Sequence, residues 1–327
     1  MEQKRVTWRE VSAEQKKWNE EHCKVQPDLV VYDNGLVVPR RFTGDVEDKC
    51  YNFQVREDDV WIVSFPKTGT TLTLELVWML LNDVDVEKWW NTPQMVRTPY
   101  FESGCIFNDV FKALAKSEKV LEHMQDPTAY ADNMQERRVF KTHLPLDMLP
   151  PDALKKSKVV YVGRNIKDTA VSLFHYLSFL GDYVGEFDEF LTNFEKGMNL
   201  QGSYWDSVLP AWKLRDHPNL KFIWYEHLLS DKRRIVDELC HFLKHPLSDE
   251  KKQLLCESLE FENMKKNLNA NPLAGIDWPA AKPSLAFMRK GVVGDWKSIF
   301  GEEKSEKWDK WIEEKIEATG LENTRIF

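Results

Sequence analysis

The 327-residue sequence lacks what would place it in a membrane, cross-link it or gather a metal. No apolar run approaches the roughly 18 residues a membrane-spanning helix requires. The amino-terminal stretch, MEQKRVTWREVSAEQKKWNEEH, is charged throughout and carries no apolar core of the signal-peptide kind. Five cysteines (Cys23, Cys50, Cys105, Cys240, Cys256) show no C-x-x-C spacing and cannot all pair within one chain. Reduced thiols in a soluble cytoplasmic protein are therefore expected. An excess of positive charge is also missing: the net charge is -8, with both signs interspersed. That argues against a partner that is nucleic acid or a membrane surface. The eight histidines are dispersed, no metal-ligand cluster is evident, and no metal is expected. Repeats, low-complexity linkers and compositional breaks are absent too, which predicts one domain over residues 1–327.

What is present is enough apolar residue, 42%, to bury a substantial core, and one stretch that organises the rest. Val60 to Asn82, VWIVSFPKTGTTLTLELVWMLLN, reads as a strand to Phe65, a turn with Pro66 and Gly69, and a helix from about Thr70. Leu72, Leu76, Met79 and Leu80 fall at i, i+4, i+7 and i+8, an apolar face for packing on a sheet. A helix that begins in a tight turn presents unpartnered N–H groups there, and such an end attracts anions. Lys67 adds charge, and Thr68, Thr70 and Thr71 add hydroxyls beside a glycine. The turn is not the G-x-x-x-x-G-K-[ST] phosphate loop: the leading glycine is absent and the lysine precedes Gly69. An ordinary capped strand-turn-helix corner is the plain alternative.

Further strands are predicted at Arg138 to Thr142, Val159 to Val162 and Leu220 to Tyr225, with helices at Lys167 to Phe179, Asp231 to Phe242, Glu250 to Glu257 and Lys304 to Thr319. An amino-terminal helix and extended pieces at Leu29 to Tyr32 and Leu36 to Val38 precede them. Short apolar strands each followed by a helix imply an α/β fold with a central parallel sheet flanked by helices. Its ligand is expected at the strands' carboxyl ends. Asp83 to Gln135 has aromatics but no clean periodicity, and Pro272 to Gly301 reads as loop.

Three other groups of residues carry possible chemistry. Lys141-Thr142-His143 ends a strand, where a neutral imidazole could act as general base or simply bond a neighbouring loop. Arg164 follows a strand and Ser172 lies two turns into the next helix, a weak hint of phosphate binding. Arg289-Lys290-Gly291 joins two cations to flexible backbone and could equally be solvated surface. Together, Lys67, Arg164, Arg289 and Lys290 would form two anion sites near one sheet edge.

The ordered segments FPKTGTT, FKTHLPLDMLP, YVGRNIKDTAVS and FMRKGVVGDWK resemble the signature segments of the cytosolic sulfotransferases, over about Asp59 to Phe300. The resemblance implies a single α/β domain, 3'-phosphoadenosine 5'-phosphosulfate (PAPS) as donor, its product PAP, and a small, largely apolar hydroxyl acceptor such as a phenol, alcohol or steroid. Carried over, it implies that Lys67, Thr68, Gly69, Thr70 and Thr71 hold the 5'-phosphosulfate. Arg164, Ser172, Arg289, Lys290 and Gly291, in a segment that also holds Phe287 and Met288, would bind the 3'-phosphate. Tyr225 and Phe261 would lie near adenine, Lys141 would steady the sulfuryl oxygens, and His143 would be the base. The long segments Asp83 to Gln135 and Gly181 to Phe194 could wall the acceptor pocket.

Departures are specific. Leu72 stands where many relatives have tryptophan on adenine, and Leu259 and Glu260 replace hydroxyl residues before Phe261. A dimer-forming pattern K-x-x-x-T-V-x-x-x-E would fall on Lys297 to Glu306, but Gly301 and Glu302 occupy its centre, so a monomer or weak homodimer is expected. Other readings are a sulfonation-linked dehydratase of an allylic alcohol, a nucleotide-triphosphate phosphotransferase and a relative without catalysis.

Overall fold

Four strands that are almost wholly buried form the centre of the computed structural model, which describes residues 5–25, 28–106, 112–277, 286–319 and 321. They are β4 (Val60–Ser64), β5 (Val139–Thr142), β6 (Lys158–Gly163) and β7 (Leu220–Trp224), in spatial order β5-β4-β6-β7 and all parallel. β-Branched and aromatic residues dominate them, and both faces are covered by helices, as all-parallel sheets require. Successive residues of a strand point to opposite faces. Val60 and Ile62 accordingly pack in one apolar cluster with Leu76, Val77 and Leu80 of the following helix. Trp61 and Val63 pack in a second with Phe140, Tyr161 and Ala170. An antiparallel sheet of β1 (Trp8–Glu10), β2 (Leu29–Tyr32) and β3 (Val37–Pro39), in that order, lies apart from the parallel one.

The predicted strands and helices are present, with shifts of a residue or two at their ends. The helix after β4, Thr70–Leu81, is buried on most sides: Leu74, Val77 and Trp78 are covered as well as Leu76, Met79 and Leu80. Even Glu75 is fully buried in it. Arg97 donates to that carboxylate at 3.0 and 3.2 Å, and Trp89 and Gln94 donate also. A buried charge is tolerated because it is paired and saturated with donors.

Two regions read as irregular contain order. Asp83 to Gln135 holds short helices at Val86–Asn91, Gln94–Arg97, Ser103–Ile106, Glu118–Gln125 and Pro127–Asp132, with 107–111 outside the described residues. Its Pro99–Phe101 backbone runs beside the outer edge of β5: Lys141 N–H donates to Pro99 O, and Phe101 N–H to Lys141 O, both at 2.8 Å. Gly181 to Phe194 includes the helix Phe187–Glu195, opened by a capping box between Glu186 and Glu189. That helix turns Phe190, Leu191 and Phe194 into the core. Part of the Pro272 to Gly301 loop, 278–285, lies outside the described residues. Among the described residues, no helix is long and apolar enough to cross a membrane.

Candidate functional site

The turn after β4 is set by two left-handed residues. Lys67 has φ 70° and Gly69 φ 108°. A Cβ on Gly69 would lie 2.5 Å from Cδ2 of Tyr225, so the close approach of the Tyr225 ring requires glycine there. Gly69 is also the N-cap of Thr70–Leu81 and offers no side-chain hydrogen bond to the helix. Its first N–H groups are left for an anion. By contrast, the helix after β6, Ile166–Leu180, is capped by Asn165, whose side chain accepts from Lys167 and Asp168 N–H.

These strand ends and the carboxyl-terminal loop enclose a cavity of about 420 Å³. Of the residues singled out above, Lys67, Gly69, Thr70, Thr71, Leu72, Lys141, His143, Arg164, Ser172, Tyr225, Phe261, Phe287, Met288, Arg289, Lys290 and Gly291 all line it. Thr68 does not: its hydroxyl is buried and within 2.8 Å of the carbonyls of Phe65 and Val162, so it ties the turn to β6. Tyr176, Leu229, Lys232, Met264 and Asp295 also line it and were not anticipated.

The cavity is rich in cations. Lys67 Nζ rests between the rings of Tyr176 and Phe287, at 4.3 and 4.1 Å from their centroids, and pairs with no carboxylate among the described residues. Burial, then the charges of Lys141, Arg164 and Arg289, lower its pKa to about 7. Arg164 lies over the Tyr225 ring at 4.6 Å and donates to the carbonyls of Lys67 and Val292 at 3.2 Å, while its Nε is buried without a partner. Arg289 and Lys290 both pair with Asp295. Asp168 fastens their loop to the helix after β6 by accepting the N–H groups of Gly294 at 2.7 Å and Trp296 at 3.0 Å.

His143, at the carboxyl end of β5, is buried. Its Nδ1–H donates to Ser64 O at 2.8 Å, which leaves Nε2 as the basic nitrogen. Ser64 Oγ lies 3.3 Å from the same Nδ1 and 2.7 Å from Thr70 Oγ1, linking the imidazole to the helix start. Burial, reinforced by the charges of Lys141 and Lys67, holds the imidazole pKa well below 6.5, so the ring is neutral at pH 7. Glu102 was not anticipated: its carboxylate accepts His143 N–H at 2.7 Å and the Thr142 hydroxyl at 2.8 Å. It fixes the backbone of His143 to the segment beside β5. Lys141 Nζ lies 4.0 Å from the Tyr100 ring centroid, and burial lowers its pKa.

A second, narrower pocket of about 110 Å³ adjoins the first at these groups. Met95, Tyr100, Ile106, Leu173, Leu177 and Leu180 make it largely apolar. Lys141, His143, Tyr176, Pro66 and Pro272 line both cavities. Asp83 to Gln135 thus supplies much of its wall, whereas Gly181 to Phe194 supplies only Asp182, because its helix faces the core. Among the described residues, no cluster of three or more His, Cys, Asp or Glu could hold a metal ion.

Residues 57–320 match the family described as the sulfotransferase domain. The chain is 34% identical over 290 residues to cytosolic sulfotransferase 1 of Danio rerio, covering 86% of this chain and 90% of the relative. It is 32% identical over 277 residues to human sulfotransferase 1E1, covering 84% and 89%. The crystal structure of a retinol dehydratase in complex with androsterone and the inactive cofactor PAP superposes with a TM-score of 0.88 at 29% identity, over 98% of both chains.

Proposed function

This chain belongs to the sulfotransferase family and is a PAPS-dependent enzyme; from that premise we propose that it sulfonates the hydroxyl of a compact, largely apolar acceptor with His143 as general base. The observation that carries the reading is that His143 and Lys141 stand on the wall shared by the cationic cavity and the apolar pocket. Donor and acceptor entering from opposite sides would meet there.

The residues present fit the donor. The uncapped helix end, the carboxylate-free Lys67 and the unpartnered Nε of Arg164 are unmet demands for anionic oxygens at separated points of one cavity. Tyr225, Phe261 and Leu72 offer flat and apolar surface for a base. When bound, PAPS supplies an activated sulfuryl group on a phosphate leaving group.

The chain's own residues do the rest. His143 Nε2 takes the acceptor's proton as the new O–S bond forms and the S–O bond to phosphate breaks, a role worth roughly 10²- to 10⁴-fold. Lys67, kept partly neutral by its surroundings, gains most from an arriving anion and offsets charge on the leaving oxygen. Lys141 is near enough to the same wall to offset charge on the sulfuryl oxygens. Ser64 holds the imidazole in one orientation, and Glu102 holds the His143 backbone. A cytoplasmic setting fits five free cysteines and the Danio rerio relative.

A second reading, net dehydration of an allylic alcohol through its sulfate ester, is favoured by the whole-chain likeness to a retinol dehydratase. One assay separates the two: radiolabel from PAPS is followed into a panel of phenols, alcohols, steroids and allylic alcohols, and product masses are recorded. A stable ester supports the transferase reading, and loss of water with free sulfate supports the dehydratase. No transfer to any acceptor would overturn both.

A further inference from the structure

The polar side chains of the apolar pocket are mostly committed to the protein. Gln94 donates to Glu75, the Thr98 hydroxyl donates to Gln94 O at 2.9 Å, Asp182 accepts Val25 N–H at 2.8 Å, and His143 is bound to Ser64. Gln201 stands apart from these. It lines the pocket and is only 5% exposed, yet its Oε1 is buried with no hydrogen-bond partner.

A carboxamide oxygen buried without a partner is costly, and native proteins keep such groups for a reason. The backbone here adds weight. Gln201 has φ 74°, a left-handed conformation that a non-glycine residue adopts only when its surroundings impose it. Its N–H is held by Val37 O of β3 at 2.7 Å. The next residue is glycine of necessity, since a Cβ on Gly202 would lie 2.0 Å from Gly35 O. The chain is thus pinned to the antiparallel sheet on both sides of a side chain whose oxygen is left without a partner beside the pocket.

We infer that Gln201 is a specificity-determining residue that hydrogen-bonds a second, uncharged polar group of the acceptor, so that the preferred substrates are compact alcohols or phenols carrying an amide, carbonyl or further hydroxyl away from the reacting one. The inference rests on the reading of this pocket as the acceptor site. An uncharged group is specified because the carboxamide is neutral and its neighbours are apolar, so an ion would lose its hydration without a counter-charge. A carboxamide both donates and accepts, so either polarity of neutral group is served. Sites built to bond a substrate's polar group reject the analogue without it far more strongly than apolar pockets discriminate by size.

The test compares near-isosteric pairs of phenols whose ring substituent is insulated by methylene groups, so that hydroxyl acidity is matched. The first pair is 2-(4-hydroxyphenyl)acetamide and 4-isobutylphenol; the second is 3-(4-hydroxyphenyl)propanamide and 4-isopentylphenol. For the wild type, kcat/KM should favour the amide in at least one pair by about tenfold or more, in line with a hydrogen bond lost from a desolvated site. In Gln201→Met, which keeps the volume, the preference should fall to within about twofold through loss of the amide rate, with the alkylphenol rate retained. Gln201→Asn, suited to positive φ but one methylene shorter, should shift the preference toward the longer amide. A wild type that transfers to both compounds of each pair without preferring either amide would overturn the inference and leave the acceptor reading intact. So would an unchanged preference in both variants. Transfer to none of the four, with PAP still bound, would overturn the acceptor reading and the inference with it.

Discussion

The Nδ1–H of His143 donates to the carbonyl oxygen of Ser64 at 2.8 Å, and that bond decides which ring nitrogen is available as a base. Ser64 is the last residue of β4, two strand residues beyond Ile62 in the core. The orientation of the base is therefore tied to the most rigid part of the molecule. His143→Ala removes Nε2 and leaves in place the cations and the N–H groups of the helix end. Sulfuryl transfer should fall by about 10²- to 10⁴-fold, while PAP affinity by calorimetry stays within about threefold. Equal losses in both would make His143 a structural residue.

Lys67 predicts a pH dependence of ligand binding. Its pKa is lowered to about 7 by burial and by Lys141, Arg164 and Arg289, and a bound anion would raise it again. Above about pH 7 the ligand-free protein holds mostly neutral Lys67, so binding PAP takes up a proton. Affinity should then fall as pH rises from about 7, by up to tenfold per unit. Calorimetry at pH 8.5 in two buffers of different ionisation enthalpy should report uptake approaching one proton; no uptake would remove this account. The ligand-free fold responds with the opposite sign. Its Lys67 pKa lies below the unfolded 10.5, so the residue's destabilisation is fully present below about pH 7 and fades as pH rises toward 10.5.

Gly291 and Phe261 make a contact that no side chain can share. A Cβ on Gly291 would fall 2.2 Å from Cδ2 of Phe261, and the backbone there has φ 65°. Gly291→Ala must displace the aromatic ring or the loop that carries Arg289 and Lys290. PAP affinity should drop by about tenfold or more, since both walls of one cavity move. Gly301→Ala is the control: its φ is 72°, but nothing lies within 4 Å of its Cβ position. It should cost roughly 1 kcal/mol of stability and leave PAP affinity unchanged. Matched losses of affinity in the two variants would refute the steric argument.

Much of this arrangement was legible in sequence, for physical reasons that also explain what was not. VWIVS, VFKT and KVVYVG read as strands because a sheet covered on both faces needs continuous apolar runs. Lys67, Arg164 and Arg289 could be singled out because each sits just after or between backbone breaks, and all three line the one cavity. Glu102 was not, because its partner His143 is 41 residues away and pairing at that range leaves no local pattern. Its one signal was a carboxylate in an otherwise apolar and aromatic run, TPYFESG. The helix Phe187–Glu195 did carry a signal, with Phe187, Phe190, Leu191 and Phe194 at helical spacing behind a capping box. Thr68 misled because a threonine in a phosphate-type turn can face either the ligand or the strands, and its direction depends on the left-handed turn of Lys67.

Asp168 gives the last prediction, because it separates positioning from contact. The carboxylate is fully buried at the start of Ile166–Leu180 and does not line the cationic cavity. Through its two oxygens it accepts the N–H groups of Gly294 and Trp296, holding the loop that bears Arg289, Lys290 and Gly291. Asp168→Ala leaves two part-buried donors without their partner, at a cost of up to about 1 kcal/mol for each, and frees the loop to move. The KM for PAPS should rise by about tenfold or more while kcat, which the proposed mechanism rests on His143 and Lys141, changes much less. Asp168→Asn keeps one acceptor and should fall between. Hydrogen exchange supplies the readout that ligand contact alone would not move: amides of residues 290–296 should exchange faster in the ligand-free variant than in the wild type. Unaltered exchange there, with KM raised, would mean that Asp168 acts through the charge it places 3.9 Å from Arg164 rather than through the loop.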